Sequence, residues 1–220
     1  MRIALIGMSG SGKSFWSSIL SSHGFQTISC DDGIGRRLAE EGEISNPSID
    51  SLGRWMGFPF DPDFARKQAR YLTLECAVMD EILQGLETRP ADAAAPHLVI
   101  DTTGSVIYTG ETMMQRLRQQ TLVIYLSLPA SHRKTLRRAY QMAPRPVIWG
   151  QYFNKRSDEN DQEALKRCYK DLLESREVLY RRYAHLEVGW DPSDDSSPEA
   201  ETLLAPVKAF ISRQGAPNAV

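Results

Sequence analysis

Residues 7–14 are Gly7-Met8-Ser9-Gly10-Ser11-Gly12-Lys13-Ser14, and they fit the pattern G-x-x-x-x-G-K-[ST] of a phosphate-binding loop. The glycines of such a loop let successive backbone N–H groups curl around a phosphate, because no Cβ atom stands in the way. Lys13 would reach the outer phosphates, and the hydroxyl of Ser14 would ligate Mg²⁺. A helix beginning at Lys13 would add the positive end of its dipole to the same site. The stretch therefore predicts the binding of a nucleoside triphosphate.

The residues on either side of this loop predict the elements that it needs. Residues 3–6 are a short apolar run typical of a buried parallel strand, and residues 14–20 continue as a helix. A strand, a glycine loop and a helix form the context in which this motif binds phosphate. An ordinary Gly/Ser turn is the competing interpretation, and the context favours the phosphate loop over it.

The bulk composition is that of a soluble globular domain. The chain has 220 residues, of which 41% are hydrophobic and 25% charged, so it can bury one sizeable core. Its formal net charge of −2 gives no electrostatic reason to bind nucleic acid or an anionic membrane, and no apolar run reaches transmembrane length. The three cysteines are widely spaced, which predicts reduced thiols, and the early loop motif leaves no room for a cleaved signal peptide. We therefore expect a cytoplasmic monomer.

Strands alternate with helices along the chain, and the strands lack polar alternation. This pattern predicts an α/β fold with a five-stranded parallel sheet sandwiched by helices. The predicted strands are residues 3–6, 25–29, 97–101, 122–126 and 186–188. The main predicted helices are residues 34–41, 61–86, 111–119, 131–141, 161–183 and 199–212. Residues 61–86 carry an apolar stripe, and residues 43–60 predict an irregular segment or short helices. We expect one domain over residues 1–213, with an acceptor-binding helical region at about 32–87, a loop at 88–96, a lid at about 143–159 and a flexible tail at 214–220.

Carboxylates follow two of the predicted strands. Asp31 and Asp32 come after the second strand, and the third strand closes on Asp101, as a magnesium-binding acid of the Walker-B type does. In an open α/β sheet, ligands lie beyond the carboxyl ends of the strands, so these acids belong on the same rim as the glycine loop. The competing interpretations are that Asp31 or Asp32 caps the next helix and that Asp101 only begins a turn.

The chain resembles the shikimate kinase family, whose members belong to the wider nucleoside-monophosphate-kinase-like fold. The resemblance spans residues 2–188 and is strongest in the glycine loop and the C-terminal third. Three segments there carry it: Arg137-Arg138, Arg145-Pro146-Val147-Ile148 and Arg176-Glu177-Val178-Leu179-Tyr180-Arg181-Arg182. By this resemblance Arg145 is a lid arginine that closes on the phosphates, Arg176 grips the anionic group of the acceptor, and Arg138 stacks on adenine. Planar guanidinium groups suit all three tasks.

The middle of the chain departs from the family pattern. The family has Asp-x-Asp after the second strand, whereas Ser29-Cys30-Asp31 lacks the first carboxylate and Asp32 is extra. The family's Gly-Gly-Gly after the third strand is here Thr102-Thr103-Gly104, and the preceding Asp101 is an acid that the family does not usually have. Arg66 follows Phe64-Ala65 as a shifted counterpart of an acceptor-binding arginine. The departures fall on the acceptor side and leave the nucleotide side intact.

These observations predict an ATP-dependent kinase that uses Mg²⁺ and phosphorylates a hydroxyl of a small, anionic metabolite. The alternatives are a nucleoside, nucleotide or sugar-acid kinase on the same fold, and a degenerate kinase that acts as a nucleotide-binding regulator. The predicted catalytic residues are Lys13, Asp31, Asp32 and Arg145, and the predicted metal ligands are Ser14 and Asp101. The predicted ATP-binding residues are Gly7, Ser9, Gly10, Ser11, Gly12, Lys13, Ser14, Phe15 and Arg138. The predicted acceptor-binding residues are Asp31, Arg66, Gly104 and Arg176.

Overall fold

The computed structural model describes residues 1–88, 95–143, 145–191 and 199–214. Five parallel strands form one sheet in the order β2-β3-β1-β4-β5, which confirms the predicted sheet. The strands are β1 (Arg2–Ile6), β2 (Gln26–Ser29), β3 (Leu98–Asp101), β4 (Leu122–Ser127) and β5 (Leu186–Gly189). Because the strands are parallel, all of their carboxyl ends lie along one edge of the sheet.

Eight α-helices accompany the strands in the described part of the chain. They are α1 (Lys13–Ser22), α2 (Cys30–Glu40), α3 (Ile49–Met56), α4 (Phe64–Glu87), α5 (Glu111–Gln120), α6 (Ala130–Met142), α7 (Asp161–Tyr183) and α8 (Ala200–Gln214). Short 3₁₀ turns occur at Val106–Tyr108 and Gly150–Tyr152. Across these residues, no helix combines the length and the apolarity needed to cross a membrane.

The strands are apolar on both faces, so the sheet is covered on both sides. Ile3 and Leu5 of β1 point into one core, where they meet side chains of α1 and α8 such as Trp16 and Leu203. The alternate β1 residues point into a second, larger core that α4, α5 and α7 cover. Residues that alternate along a strand face opposite sides, and here both sides are buried, which is the arrangement expected of a parallel sheet.

The start of α2 differs from the prediction. The helix begins at Cys30 rather than at residue 34, and its N-cap is Ser29, whose Oγ accepts a hydrogen bond of 3.2 Å from the backbone N–H of Asp32. The interpretation of Asp31 or Asp32 as the N-cap is therefore wrong. Gly33 lies inside the helix, where a Cβ atom would lie 3.0 Å from a methyl carbon of Val78. The glycine lets α2 lie close against α4.

The other boundaries follow the prediction closely. Residues 43–60, predicted to be irregular or to hold short helices, contain the eight-residue helix α3. The apolar stripe of α4 faces the core, with Phe64, Tyr71 and Leu83 buried. The predicted loop at 88–96 falls mostly on residues 89–94, outside the described residues. The predicted tail at 214–220 also lies outside them, except for Gln214, which ends α8.

Candidate functional site

The glycine loop joins β1 to α1 in the predicted strand–loop–helix arrangement. Gly7, Gly10 and Gly12 all have positive φ values, of 150°, 81° and 88°, which side chains rarely tolerate. A Cβ atom on Gly7 would lie 2.8 Å from the Oγ atom of Ser11 and 2.9 Å from the carbonyl oxygen of Leu126. Gly12 occupies the N-cap position of α1 and has no side chain to cap the helix. The loop is therefore shaped so that backbone N–H groups at the start of α1 can receive an anion.

Lys13 is buried and folded against the loop that precedes it. Its Nζ atom donates hydrogen bonds of 3.0 Å to the carbonyl oxygens of both Gly7 and Met8. Burial lowers the pKa of the ammonium group, and the nearby carboxylates of Asp101 and Asp31 oppose that effect. The cation is thus held at the loop by neutral oxygens and by two acids.

The two predicted strand-end acids lie on the same rim because β2 and β3 are neighbours. Ser29 of β2 is in register with Asp101 of β3, which places Asp31 two residues beyond that point. The Ser14 hydroxyl donates a hydrogen bond to the buried carboxyl group of Asp101, whose pKa is raised by burial against the opposing effects of Lys13 and Ser14. The structure therefore brings together the two predicted metal ligands, Ser14 and Asp101.

Asp31 faces the loop from the start of α2. Burial raises the pKa of its carboxyl group, while a hydrogen bond of 2.8 Å from the Tyr71 hydroxyl and the charge of Lys13 act in the opposite direction. Asp32 is exposed on the neighbouring helical position. Both acids line an open depression of about 470 Å³ that also contains Ser14 and Asp101.

The glycine loop opens into a cleft of about 370 Å³, which we call the main cleft. Ser9, Gly10, Gly12, Lys13, Ser14 and Phe15 line one side of it. Asp31, Ile49, Gly104 and Arg145 line the opposite parts, together with apolar residues of α6 and α7. The glycine loop, a carboxylate and an arginine therefore share one cleft.

The middle of the predicted lid is anchored to the larger core and to α4. Val147, Ile148 and Trp149 are buried in the larger core. The backbone N–H groups of Trp149 and Gly150 donate hydrogen bonds of 2.5 and 3.0 Å to the side-chain oxygen of Gln68 on α4. Arg145, at the start of this segment, remains half-exposed at the main cleft.

Three predicted arginines lie away from the lining of the main cleft. Arg66 is exposed on α4 and pairs loosely with Asp63 at 3.7 Å, and Arg138 is exposed on α6. Arg176 is buried behind the wall of the cleft. Its Nη1 atom donates to the carbonyl oxygen of Gly104 at 3.1 Å, and its Nη2 atom donates to that of Ile148 at 2.7 Å. The structure therefore does not bring these three arginines together with the residues that line the main cleft, and their predicted roles stay predictions.

The sequence did not single out Glu75, which is fully buried on α4. Its carboxylate accepts hydrogen bonds from the hydroxyl of Thr103 and, at 2.7 Å, from that of Ser105. Burial raises its pKa from 4.5 to about 7, against the opposing effect of these two donors. The available signal was a charged residue inside the apolar stripe of α4. Glu75 holds the turn that carries Gly104 to the cleft.

Trp190 was also missed, although it directly follows β5 at the same rim as the glycine loop. Its Nε1 atom donates a hydrogen bond of 2.7 Å to the carbonyl oxygen of Ser11. Its ring covers Gly12 so closely that a Cβ atom there would lie 2.1 Å from a ring carbon. The signal in this case was only the position of a large aromatic residue at a strand end.

Solved structures that match this chain include proteins named as kinases. A shikimate kinase from Acinetobacter baumannii, solved in complex with shikimate, matches with a TM-score of 0.58 and 21% identity, over 97% of this chain and 94% of that one. A shikimate kinase from Bacteroides thetaiotaomicron matches with a TM-score of 0.58 and 17% identity, over 96% and 98% of the two chains. A dephospho-CoA kinase from Campylobacter jejuni matches with a TM-score of 0.51 and 16% identity, over 97% and 98%.

No protein-family model matches the chain, and the curated proteins contain no match to it. The chain has the shikimate-kinase-like fold of the phosphate-loop kinases. Because these identities are low, the likeness establishes the fold and leaves the activity to be argued from the site itself.

Proposed function

We propose that this protein is an ATP-dependent kinase that transfers the γ-phosphoryl group to a hydroxyl of a small, anionic metabolite. The observation that carries the proposal is the main cleft, in which the glycine loop, Asp31 and Arg145 face one another. Phosphoryl transfer requires mainly positioning and charge neutralisation, and these groups are suited to both. The three solved structures compared above are named as kinases.

The residues on the donor side fit ATP and magnesium. Glycines at positions 7, 10 and 12 keep Cβ atoms out of the loop, and Lys13 and Ser14 line the main cleft, where phosphates would bind. Ser14 and Asp101 supply a hydroxyl and a carboxylate, which are the oxygen ligands that Mg²⁺ prefers. When bound there, the ion would neutralise charge on the β- and γ-phosphates. Lys13 would add a fixed positive charge from the loop.

On the acceptor side, Asp31 is the proposed general base. The acceptor oxygen would attack the γ-phosphorus, the bond from that phosphorus to the β-phosphate oxygen would break, and the acceptor proton would pass to the Asp31 carboxylate. The products are then ADP and the phosphorylated acceptor. Asp31 is preferred to Asp32 because it lines the main cleft and accepts a hydrogen bond from Tyr71, whereas Asp32 is exposed. Arg145 would neutralise charge that develops on the phosphates.

A second candidate function is a kinase of the same fold that acts on a different class of acceptor. The turn that would contact it, Thr102-Thr103-Gly104, has side chains where the shikimate kinase family has glycines, and Thr103 is bonded to Glu75. This difference favours an acceptor other than shikimate, such as a sugar acid, a nucleoside or a nucleotide. A protein that binds ATP and transfers nothing, as a regulator would, is the remaining possibility.

A coupled assay of ADP release tests the proposal. Purified protein with Mg-ATP is offered shikimate, other hydroxy acids, sugars, nucleosides and dephospho-CoA, and ADP production is compared with and without each acceptor. We expect one class to stimulate ADP production, and we expect Lys13→Ala to abolish it while the protein remains folded by circular dichroism. Full activity in Lys13→Ala would remove the loop from the mechanism. Tight ATP binding without turnover on any acceptor would support the regulator instead.

A further inference from the structure

Phe15 is an anomaly on the surface of α1. Its side chain is 45% exposed, and among the described residues only Met142 and Val178 are comparable exposed hydrophobics. Unlike those two, Phe15 lines the main cleft, directly after Ser14. Aromatic side chains that line a cleft are typical contacts for a bound ligand.

The ring of Phe15 is held in place by two tryptophans. The ring of Trp190 is parallel to it, with an interplanar angle of 2° and a centroid distance of 5.4 Å. Trp16, which is fully buried, contacts Phe15 edge-on at 5.9 Å and Trp190 edge-on at 5.6 Å. Phe15 and Trp190 thus form two parallel, offset rings, which we call the aromatic step.

The aromatic step is fixed to the glycine loop itself. The indole N–H of Trp190 donates to the carbonyl oxygen of Ser11, and the backbone N–H of Trp190 donates at 3.2 Å to that of Ser127 at the end of β4. The same indole ring lies against Gly12. A flat surface that is already ordered loses little conformational entropy when a ligand stacks on it.

We propose that the exposed face of Phe15, supported by Trp190, is the surface on which the base of the donor nucleotide stacks. This inference rests on the proposed function, because it assigns the base of the same nucleotide whose phosphates the loop would hold. Nucleobases are flat, and they stack on aromatic side chains with little dependence on sequence. Arg138, to which the resemblance gave this role, is exposed on α6 and does not line the main cleft.

The experiment compares two ligands that differ by the nucleoside. Mg-ADP and Mg-pyrophosphate are titrated calorimetrically into the full-length protein and into Phe15→Leu and Phe15→Tyr. Leucine keeps an apolar side chain but cannot stack, whereas tyrosine keeps the ring. Because Phe15 is substantially exposed, neither substitution should prevent folding.

We expect Phe15→Leu to weaken ADP binding by about 5- to 100-fold and to change pyrophosphate binding by less than about twofold. Phe15→Tyr should bind ADP within about threefold of wild type, since it retains the stacking face. Unchanged ADP affinity in Phe15→Leu would overturn the inference. Equal losses for both ligands would overturn it too, because the ring would then act by shaping the loop. A wild-type protein that binds neither ligand would overturn the proposed function along with it.

Discussion

The Nη1 atom of Arg145 lies 2.5 Å from the Oδ1 atom of Asp50, so an arginine of the predicted lid is paired with the first turn of α3. Arg145 and Ile49, the neighbour of Asp50, both line the main cleft. The side chains of the pair are 42% and 62% exposed, and exposed ion pairs of this kind contribute only about 0–1 kcal/mol. A phosphate group could therefore compete with Asp50 for the guanidinium.

Replacing Asp50 tests this competition. In Asp50→Asn, Arg145 no longer has to leave a carboxylate, so we expect Mg-ATP to bind up to about fivefold more tightly, with the free energy of unfolding changed by less than about 1 kcal/mol. The measurement is calorimetric titration at low and at high salt, where the gain should shrink. Asp161→Asn, which breaks the exposed pair with Lys155, is the matched control and should leave ATP affinity unchanged. Weaker ATP binding in Asp50→Asn would mean that the pair positions Arg145 for its ligand.

The hydrogen bond from Tyr71 to Asp31 gives a prediction for the pH dependence of turnover. Tyr71→Phe removes a donor that lowers the pKa of Asp31, so the pKa should rise further above its usual range. If Asp31 is the base, activity increases as its carboxyl ionises, and the rising limb of the kcat/KM profile should move to higher pH by about one pH unit or more. Tyr183→Phe removes a similar hydrogen bond to Glu111 and should leave the profile in place. Identical profiles for wild type and Tyr71→Phe would argue against Asp31 as the base.

The buried carboxyl of Glu75 predicts how stability varies with pH. Its pKa in the folded protein, about 7, exceeds its ordinary value of 4.5, so the folded state binds the proton more tightly. Stability relative to a neutral side chain should therefore fall as pH rises from about 4.5 to 7. From pH 5 to pH 8, the free energy of unfolding of wild type should therefore fall by about 2–3 kcal/mol relative to that of Glu75→Gln. Denaturant titrations of both proteins at the two pH values measure this difference, and parallel pH dependences would contradict the assignment.

Gly104 should tolerate no side chain. A Cβ atom there would lie 2.9 Å from the backbone nitrogen of Ser9, a part of the glycine loop that cannot move aside easily. Gly104→Ala should lower the free energy of unfolding by about 1–3 kcal/mol and weaken ATP binding, since the turn and the loop would be pushed apart. Gly85→Ala is the control, because Gly85 is exposed within α4 with open space around it, and it should stabilise the protein by about 0.5–1 kcal/mol. Unfolding and titration experiments on both variants check the contrast.

The sequence predicted those parts of the molecule that depend on local pattern. The apolar runs of the five strands, the stripe of α4 and the glycine motif each occur within a few neighbouring residues, and the structure places them as expected. The acids after β2 and β3 could be brought together from the sequence because parallel strands share one carboxyl edge. One local boundary was predicted wrongly, because α2 begins at Cys30 with Ser29 as its N-cap and not at residue 34.

The parts that escaped prediction depend on contacts between distant residues. Glu75 is surrounded by apolar neighbours on its own helix, and its partners Thr103 and Ser105 are about 30 residues away in the chain. Trp190 meets the loop across 179 residues. Arg176 was assigned to the acceptor from its motif, and no pattern in the sequence indicated that backbone carbonyls would engage its guanidinium.

The position of Arg176 has a mechanical consequence. A single buried guanidinium joins Ile148, which follows the lid arginine, to Gly104, which lies beside the glycine loop. Separating these two carbonyl groups would leave a charged donor unsatisfied in a dry environment, at a cost of several kcal/mol. The lid segment that contains Ile148 and the turn that contains Gly104 should therefore be displaced together or not at all. A ligand that draws in one of these segments would then preorganise the other. Donor and acceptor would then bind with positive cooperativity.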